Sequence, residues 1–347
     1  MFRRYRHVVA LELGSQRTRV GTVADGVLLD EPTLVAGLAP RPDRFKPRLA
    51  GYAAALVARN LPQGWRVVRP VARGAVTNVV ALSFLIRTFL EVIGAKSWYR
   101  APAVLLAAWA DGADPMLRPV YEAVRATGAR HIAAVATPIA ALCGAGVPLG
   151  ETRPWLVIHL GHARTLVAIG SPAGLYRSET LGLGTVEYAR AVEDVVMQQS
   201  NLVVPDGEVE LGRLLAQLAG RAERGGRLPE HIAVHGVDRQ TGLPRTAQVR
   251  VGPLLETLRS YHRLVAAQTR SLLEDCPRTV TTGLMDTGVL LSGGGAWLPE
   301  LSEAIRHYLG IPVFVPDRPD LVVAEGLVRC ARVPESWGST VAVRVPA

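Results

Sequence analysis

Apolar positions along this chain follow two rhythms: short unbroken runs bounded by turn residues, and longer stretches in which they recur every three or four places. The first rhythm predicts buried strands and the second predicts helices. Val9–Leu13 and Val20–Val23 flank a turn opened by glycine and run on into Asp25-Gly26, so they predict a β-hairpin. Residues 34–64 break the rhythm; irregular and rich in Pro and Arg, they predict a small peripheral subdomain. Ala81–Val92 predicts a helix, Ala103–Ala108 a buried strand, and Met116–Thr127 a helix stopped by Gly128. Ile132–Val135 is a further strand, with Thr137-Pro138 opening the next helix. Downstream, Val186–Gln199, Leu211–Ala222, Leu254–Leu273 and Leu298–Leu309 have helical spacing. Ala233–Val237 and Ala247–Val251 predict strands around a turn at Gln240–Leu243, and Val289–Leu291 and Val313–Val315 predict two more. Strands alternating with helices make an α/β protein with largely buried sheets.

One pattern occurs twice. Val9-Ala-Leu-Glu-Leu-Gly-Ser-Gln-Arg-Thr-Arg-Val20 is echoed by Val157-Ile-His-Leu-Gly-His-Ala-Arg-Thr-Leu-Val167, and the shared Leu-Gly-x-x-Arg-Thr starts at Leu13 and again at Leu160. The second copy runs from Leu166–Ile169 into a turn at Pro172–Gly174, so it too predicts a hairpin. The chain has 347 residues, enough for two domains at about 150 each, and the copies lie one domain length apart. The expected organisation is two related halves facing each other across a cleft. Residues 1–150 form the first, with a small subdomain at about 34–66. Residues 151–325 form the second, with a small subdomain at about 184–250, and 326–347 return to the first.

Composition narrows the class only a little. An apolar fraction of 49% and a charged fraction of 20% exclude wholesale disorder. The formal net charge of +9 permits a nucleic acid, an anionic membrane face or a phosphorylated ligand without choosing among them. Lys46 and Lys96 are the only lysines, a skew that reads as genomic base composition. Cys143, Cys276 and Cys330 stand far apart, which suggests neither a disulfide framework nor a cysteine-rich zinc site and fits a reducing, cytoplasmic compartment. The basic N-terminus is followed by an apolar stretch broken at Glu12, so export is not expected. The longest apolar run, Ile132–Leu149, is punctuated by Pro138, Gly144, Gly146 and Pro148 and cannot span a membrane.

The candidate chemistry lies in the glycine turns. A glycine after a strand lets backbone N–H groups approach an anion with no side chain in the way, although a hairpin also uses glycine for geometry alone. Gly14 and Gly161 open the two matched turns, and a third cluster, Gly293-Gly294-Gly295, follows the strand Val289–Ser292, where a flat base or ribose could approach. Other groups carry less. His159 and His162 do not converge on a metal at their spacing, and His231 and His235 bracket a strand. Ser292 lacks the Gly-x-Ser-x-Gly elbow of a hydrolase. The arginines are dispersed, and no nucleic-acid-binding motif is present.

Taken in order, Glu12-Leu-Gly-Ser-Gln-Arg-Thr18, Ala136-Thr-Pro-Ile-Ala-Ala141, His159-Leu-Gly-His-Ala-Arg-Thr165 and Leu291-Ser-Gly-Gly-Gly-Ala296 resemble the actin-like ATPase superfamily. Within it the chain resembles the MreB/Mbl rod-shape-determining family, with support from Gly236-Val-Asp-Arg-Gln-Thr-Gly-Leu-Pro244 and Met285-Asp-Thr-Gly-Val289. The resemblance implies a two-lobed, duplicated ribonuclease H-like fold around a nucleotide cleft. ATP is the implied ligand, held by Gly14, Ser15, Gln16, Arg17 and Thr18, by Gly161, His162, Ala163 and Arg164, by Gln217, and by Gly293, Gly294 and Gly295. It further implies a filament of this chain or a co-polymer with another MreB, the partners MreC, MreD, RodZ and the elongation synthases, and a place at the inner face of the cytoplasmic membrane. The family's membrane-inserting loop falls at Ser97-Trp-Tyr-Arg100, where Trp98 and Tyr99 suit a lipid interface. Phe2-Arg-Arg-Tyr-Arg6 offers a second basic and aromatic contact.

The departures from the family matter as much. Its first turn begins with aspartate, here Glu12; its second, Asp-x-Gly-Gly-Gly-Thr, is here His159-Leu-Gly-His-Ala-Arg-Thr165. The magnesium-binding carboxylates are thereby reduced, since a hard cation prefers oxygen ligands. The family Glu-Pro pair that orients the hydrolytic water is here Thr137-Pro138, and the helix that offers Lys and Glu to the nucleotide runs through Leu215 and Gln217. Little or no hydrolysis is expected, and neither catalytic nor metal-ligating residues are assigned. Arg17 and Arg164 hold matched positions; they either neutralise phosphates in place of magnesium or pair with Glu12 or another carboxylate in a decayed site. The alternatives to a filament protein are an active phosphotransferase or ATPase on the same fold, and a non-polymerising scaffold.

Overall fold

Residues 8–41, 44–95, 102–109, 116–205, 207–223 and 228–333 are described by the structure, a computed structural model. They divide into two compact units. One takes the chain up to Val157, Ala168–Ser178 and the residues from Leu321 onward; the other takes Ile158–Val167 and Glu179–Asp320.

The first unit starts with β1 (Val8–Leu13), β2 (Arg17–Thr22) and β3 (Gly26–Pro32). β4 (Val35–Arg41), β5 (Arg44–Ala50), α1 (Gly51–Ala58) and β6 (Trp65–Val68) follow. Next come β7 (Val71–Ala72), β8 (Ala75–Val76), α2 (Val79–Val92), β9 (Ala103–Ala108), α3 (Leu117–Arg125), β10 (His131–Ala136) and α4 (Thr137–Gly144). The five-stranded sheet has the order β10-β9-β1-β2-β3. β1 runs antiparallel to β2, with Leu11 opposite Val20, and parallel to β9, with Leu11 opposite Leu106. A continuous apolar strand such as Val8–Leu11 is what a parallel neighbour and two covered faces require, and all four of these residues are buried. In α2, Leu82, Leu85, Ile86, Phe89 and Leu90 form the buried stripe, and the Asn78 side chain accepts from Ala81 N–H at 2.9 Å to cap its start.

Residues 34–64, expected to be irregular, instead hold β4, β5 and α1, and β6 just beyond them completes a three-stranded sheet, β5-β4-β6. Their Pro and Arg content hid an alternating pattern. Arg44, Lys46 and Arg48 are exposed on β5 while Phe45, Pro47 and Leu49 are half-buried, and Phe45 packs against the core. Pro47 is tolerated because β5 is an edge strand and need not donate to a second neighbour.

The chain continues through β11 (Trp155–Leu160), β12 (Thr165–Ser171), β13 (Gly174–Leu181), α5 (Thr185–Ser200), β14 (Leu202–Val203), α6 (Gly207–Glu223), β15 (His231–Asp238) and β16 (Pro244–Arg250). It ends with α7 (Val251–Glu274), α8 (Arg278–Thr287), β17 (Val289–Ser292), a 3-10 turn at Gly294–Trp297, α9 (Leu301–Leu309), β18 (Val313–Phe314) and α10 (Val322–Ala331). The second five-stranded sheet has the order β13-β12-β11-β17-β18. Three consecutive strands plus two later ones build each large sheet, so the repeated hairpin motif belongs to a repeated topology.

α10 lies on the first sheet's unit, packed against α4 and β1. A Cβ at Gly326 would overlap the Ala140 carbonyl oxygen, and one at Gly144 would overlap that of Val322. Arg329 Nη1 donates to the Cys143 carbonyl at 2.7 Å and ties the last turn of α10 to α4. In the second unit, α7 packs on α5 and buries His262 completely. Among the described residues neither ring nitrogen of His262 has a hydrogen-bond partner; its ring lies 5.6 Å from that of Tyr188, which lies 5.1 Å from that of Tyr261. Burial holds its pKa down to about 4.

Two stability measurements check this packing. Gly326→Ala is expected to cost about 2 kcal/mol or more by forcing α10 off α4, whereas Gly150→Ala, with nothing within 4 Å, is expected to stay within about 0.5 kcal/mol; urea denaturation reads both. His262 is neutral in the folded chain, with a pKa of about 4, while in the unfolded chain it takes up a proton below about pH 6.5. Stability therefore falls by about 3 kcal/mol as pH drops from about 6.5 to about 4 and levels off below. His262→Leu is expected to remove that component of the pH profile and to be more stable than the parent at pH 5.

Candidate functional site

The turn between β1 and β2 closes on a hydrogen bond from Gly14 N–H to the Arg17 carbonyl at 2.9 Å. A Cβ at Gly14 would lie 2.9 Å from that same oxygen, so the closure requires glycine. Thr33 locks the turn from behind: its N–H donates to the Gln16 carbonyl at 2.9 Å, and its hydroxyl donates to the Gly14 carbonyl at 2.8 Å and meets the Thr18 hydroxyl at 2.9 Å. Thr18 and Thr33 are both fully buried. The Ser15 hydroxyl accepts from Gly74 N–H at 3.4 Å. The N–H groups of Ser15 and Gln16 find no acceptor among the described residues.

Charge in this turn is compensated locally. Arg17 Nε donates to Asp30 Oδ1 at 2.8 Å, its Nη1 donates to the Tyr52 hydroxyl at 2.9 Å, and the guanidinium lies 5.3 Å from the centre of the Tyr52 ring. Asp30 also meets Arg19 Nε at 3.1 Å, and Arg19 reaches Glu12 at 3.3 Å. Glu12, Arg19, Asp30 and Arg17 thus form one chain of alternating charge along three adjacent strands. Of the two roles open to Arg17, pairing with a carboxylate is the one its geometry takes, and the partner is Asp30. Asp30, Arg19 and Tyr52 carried no motif; the register that places Arg19 opposite both Glu12 and Asp30 is what brings them together.

The turn between β11 and β12 repeats the construction. Gly161 N–H donates to the Arg164 carbonyl at 3.0 Å. The head of α5 covers it: Thr185 N–H donates to the Gly161 carbonyl and Val186 N–H to that of His162, both at 3.0 Å. Gly184 makes this approach possible, because a Cβ there would overlap the His162 carbonyl. Glu187 accepts from Gly184 N–H at 2.7 Å, the half of a capping box that a glycine at this position allows. Thr165, buried like Thr18, donates to the Leu183 carbonyl at 2.6 Å. Ala163 N–H finds no acceptor among the described residues. His159 is buried, with Nδ1 3.1 Å from the Ser292 hydroxyl.

The three consecutive glycines after β17 have separate reasons. Gly293 has φ of 86°, and a Cβ there would overlap the Leu160 carbonyl; a Cβ at Gly295 would overlap the Leu160 side chain. Gly294 meets nothing within 4 Å and is exposed, so neither packing nor backbone geometry demands glycine there. On α6, Gln217 is exposed and Leu215 buried. At the head of α4, the Thr137 hydroxyl donates to the Ala108 carbonyl at 2.9 Å and is buried, so its proton is already committed. Trp98 and Tyr99, and the segment Phe2–Arg6, lie outside the described residues.

A carboxylate suited to a hydrated magnesium ion is not free in these turns: Glu12 is held by Arg19, and position 159 is a histidine tied to Ser292. Among the described residues no three His, Cys, Asp or Glu side chains stand close enough together to hold a metal. The Glu12–Arg19 pair is testable by itself, with both side chains little exposed, at 13% and 11%. Glu12→Ala is expected to cost about 2 kcal/mol by leaving Arg19 under-compensated. The double variant Glu12→Ala, Arg19→Met is expected to cost less than the sum of the singles in urea denaturation.

The chain is similar to known proteins over most of its length. It is 27% identical over 320 residues to the cell shape-determining protein MreB of Escherichia coli (strain K12), covering 92% of this chain and 91% of that protein. Its fold matches that of MreB5 of Spiroplasma citri bound to ADP with a TM-score of 0.81, at 18% identity, over 95% of this chain and 96% of that one. It also matches the MamK double helical filament with a TM-score of 0.75, at 12% identity, over 94% and 98% of the two chains. The fold is therefore actin-like. The MreB/Mbl protein model matches residues 6–337, and the chain belongs to the MreB/Mbl family.

Proposed function

We propose that this chain is a filament-forming, membrane-associated cytoskeletal protein that acts in cell shape and in organising cell-wall synthesis, with a degenerate ATP site. What supports this reading is the family match across nearly the whole chain together with two separately folded turns of one design, closed by Gly14 and by Gly161. The relatives are named cell shape-determining proteins, and one fold neighbour is a filament. A second copy of this chain, or another MreB, is the first partner. MreC, MreD and RodZ-type proteins at the inner face of the cytoplasmic membrane follow from the same reading, with Trp98 and Tyr99 in the lipid interface.

Adenine nucleotide is the proposed ligand, as in the S. citri structures bound to ADP and AMPPNP. The residues fit it in part. Ser15, Gln16 and Ala163 offer N–H groups to phosphate that have no acceptor among the described residues, Gly14, Thr18 and Gly161 set the turns, and Gly293, Gly294 and Gly295 leave backbone open to a flat ring at Gly294. His162, Arg164 and Gln217 complete the proposed set, and Arg17 joins it only by exchanging Asp30 for phosphate. Magnesium fits poorly, for the reasons given by Glu12 and His159. Hydrolysis lacks its base: Thr137 stands where a carboxylate would position water, a loss worth about 10²–10⁴ in rate.

Calorimetric titration with ADP in EDTA and in magnesium is expected to give affinities within about threefold of each other, and Gly294→Val is expected to weaken binding at least tenfold, about 1.4 kcal/mol. The protein is expected to pellet on ultracentrifugation and to release almost no phosphate from ATP. Steady phosphate release would move the reading to an active phosphotransferase or ATPase. Neither pelleting nor turnover would move it to a scaffold that does not polymerise.

A further inference from the structure

The chain's positive charge is concentrated in one place. Residues 34–69 contain seven basic residues and one acidic residue, against 39 and 30 in the whole chain. Six of the nine excess charges therefore sit on about a tenth of the sequence, and the rest of the protein is close to neutral. Genomic base composition explains the preference for arginine over lysine but not this imbalance, because elsewhere the arginines are matched by acids. The concentration coincides with a structural element, the sheet β5-β4-β6 with α1.

The charges are presented rather than used. Arg41, Arg44, Lys46, Arg48, Arg66 and Arg69 are all exposed, and none of their side chains makes an ion pair or hydrogen bond among the described residues. Arg44, Lys46 and Arg48 are exposed at alternate positions of the edge strand β5, whose pairing with β4 has two register shifts, and they span about 13 Å at ~3.3 Å per residue. That is comparable to the Debye length of about 8–10 Å at physiological salt, so a planar anionic surface meets them as a group. The same subdomain exposes apolar side chains. α1 has no charged residue, and Tyr52 and Leu56, one turn apart, are 55% and 69% exposed.

We propose that this small subdomain is a docking face for an anionic lipid surface. The proposal deepens the membrane association in the function proposed above and rests on that reading. Charge complementarity selects a polyanion and disfavours a second copy of a chain whose own net charge is +9. The exposed leucine and tyrosine select lipid over nucleic acid, because an aliphatic side chain beside the cations gains from the headgroup boundary of a bilayer and finds no partner on a phosphodiester backbone. Binding is electrostatic at first contact and falls steeply with salt.

Vesicle flotation of the full chain tests this, since lipid-free filaments sink and do not score. The probes are vesicles of phosphatidylcholine alone and vesicles with roughly a third phosphatidylglycerol. The parent and a charge control carrying Arg125→Glu, Arg263→Glu and Arg278→Glu are expected to float with the anionic vesicles only. The variant carrying Arg44→Glu, Lys46→Glu and Arg48→Glu is expected to lose at least tenfold in bound fraction while keeping the parent's circular dichroism spectrum. Flotation of that variant at the parent's level, equal flotation of the parent with neutral vesicles, loss in the charge control as well, or displacement of the parent from vesicles by equimolar duplex DNA would each overturn the proposal. Lipid-free pelleting, run in parallel, reports on the filament reading separately: a parent that floats but never pellets keeps the lipid face and loses the filament.

Discussion

Two helices reach backbone contact only where no Cβ stands between them, and the crossing of α4 and α10 at Gly144 and Gly326 depends on that constraint. Gly326 lies against the Ala140 carbonyl and Gly144 against that of Val322, so each helix supplies the gap the other fills. The contact brings a segment from the end of the described chain onto β1, β2 and β9, covering the sheet from which the first glycine turn projects. It also fixes the head of α4, where the Thr137 hydroxyl is spent on Ala108. The approach leaves no slack, since a single methyl group would collide with backbone, which cannot rotate away as a side chain can.

The two matched turns show how one backbone design accommodates different electrostatics. Both close with a glycine N–H on the carbonyl three residues on, and both are backed by a buried threonine, Thr18 or Thr165. The supports differ. The first turn is held by Thr33 and by an alternating series of acids and arginines; the second is held by the head of α5. In the first, Glu12 and Asp30 are paired with the chain's own arginines, Arg19 and Arg17. The charge balance of the first turn is therefore spread over three strands.

Much of this was legible in the sequence, and the parts that were not have physical reasons. The repeated Leu-Gly-x-x-Arg-Thr identified the hairpins because their turns need glycine locally, with no reference to distant residues. The long helices were legible from spacing, as in α2 and α7. The sheet β5-β4-β6 was not, because its alternation runs through Pro47 and because arginine on a solvent-facing strand position looks the same as arginine in a loop. α8 and α10 were also missed: α8 buries only Leu284, which leaves almost no periodic stripe, and α10 is buried nearly all round. For Arg17, sequence left two partners open. The contact it makes is diagonal, from Arg17 opposite Pro32 to Asp30 opposite Arg19, and no sequence pattern marks it.

The edge strand β5 has a consequence for how copies of this chain meet when they are crowded. A strand edge open to solvent invites backbone pairing between neighbouring copies, an association that does not readily come apart. Pro47 removes one donor from that edge, and Arg44, Lys46 and Arg48 set like charges against any approaching copy. Backbone pairing of one copy with another along β5 is thereby disfavoured, so the edge guards against cross-strand ladders.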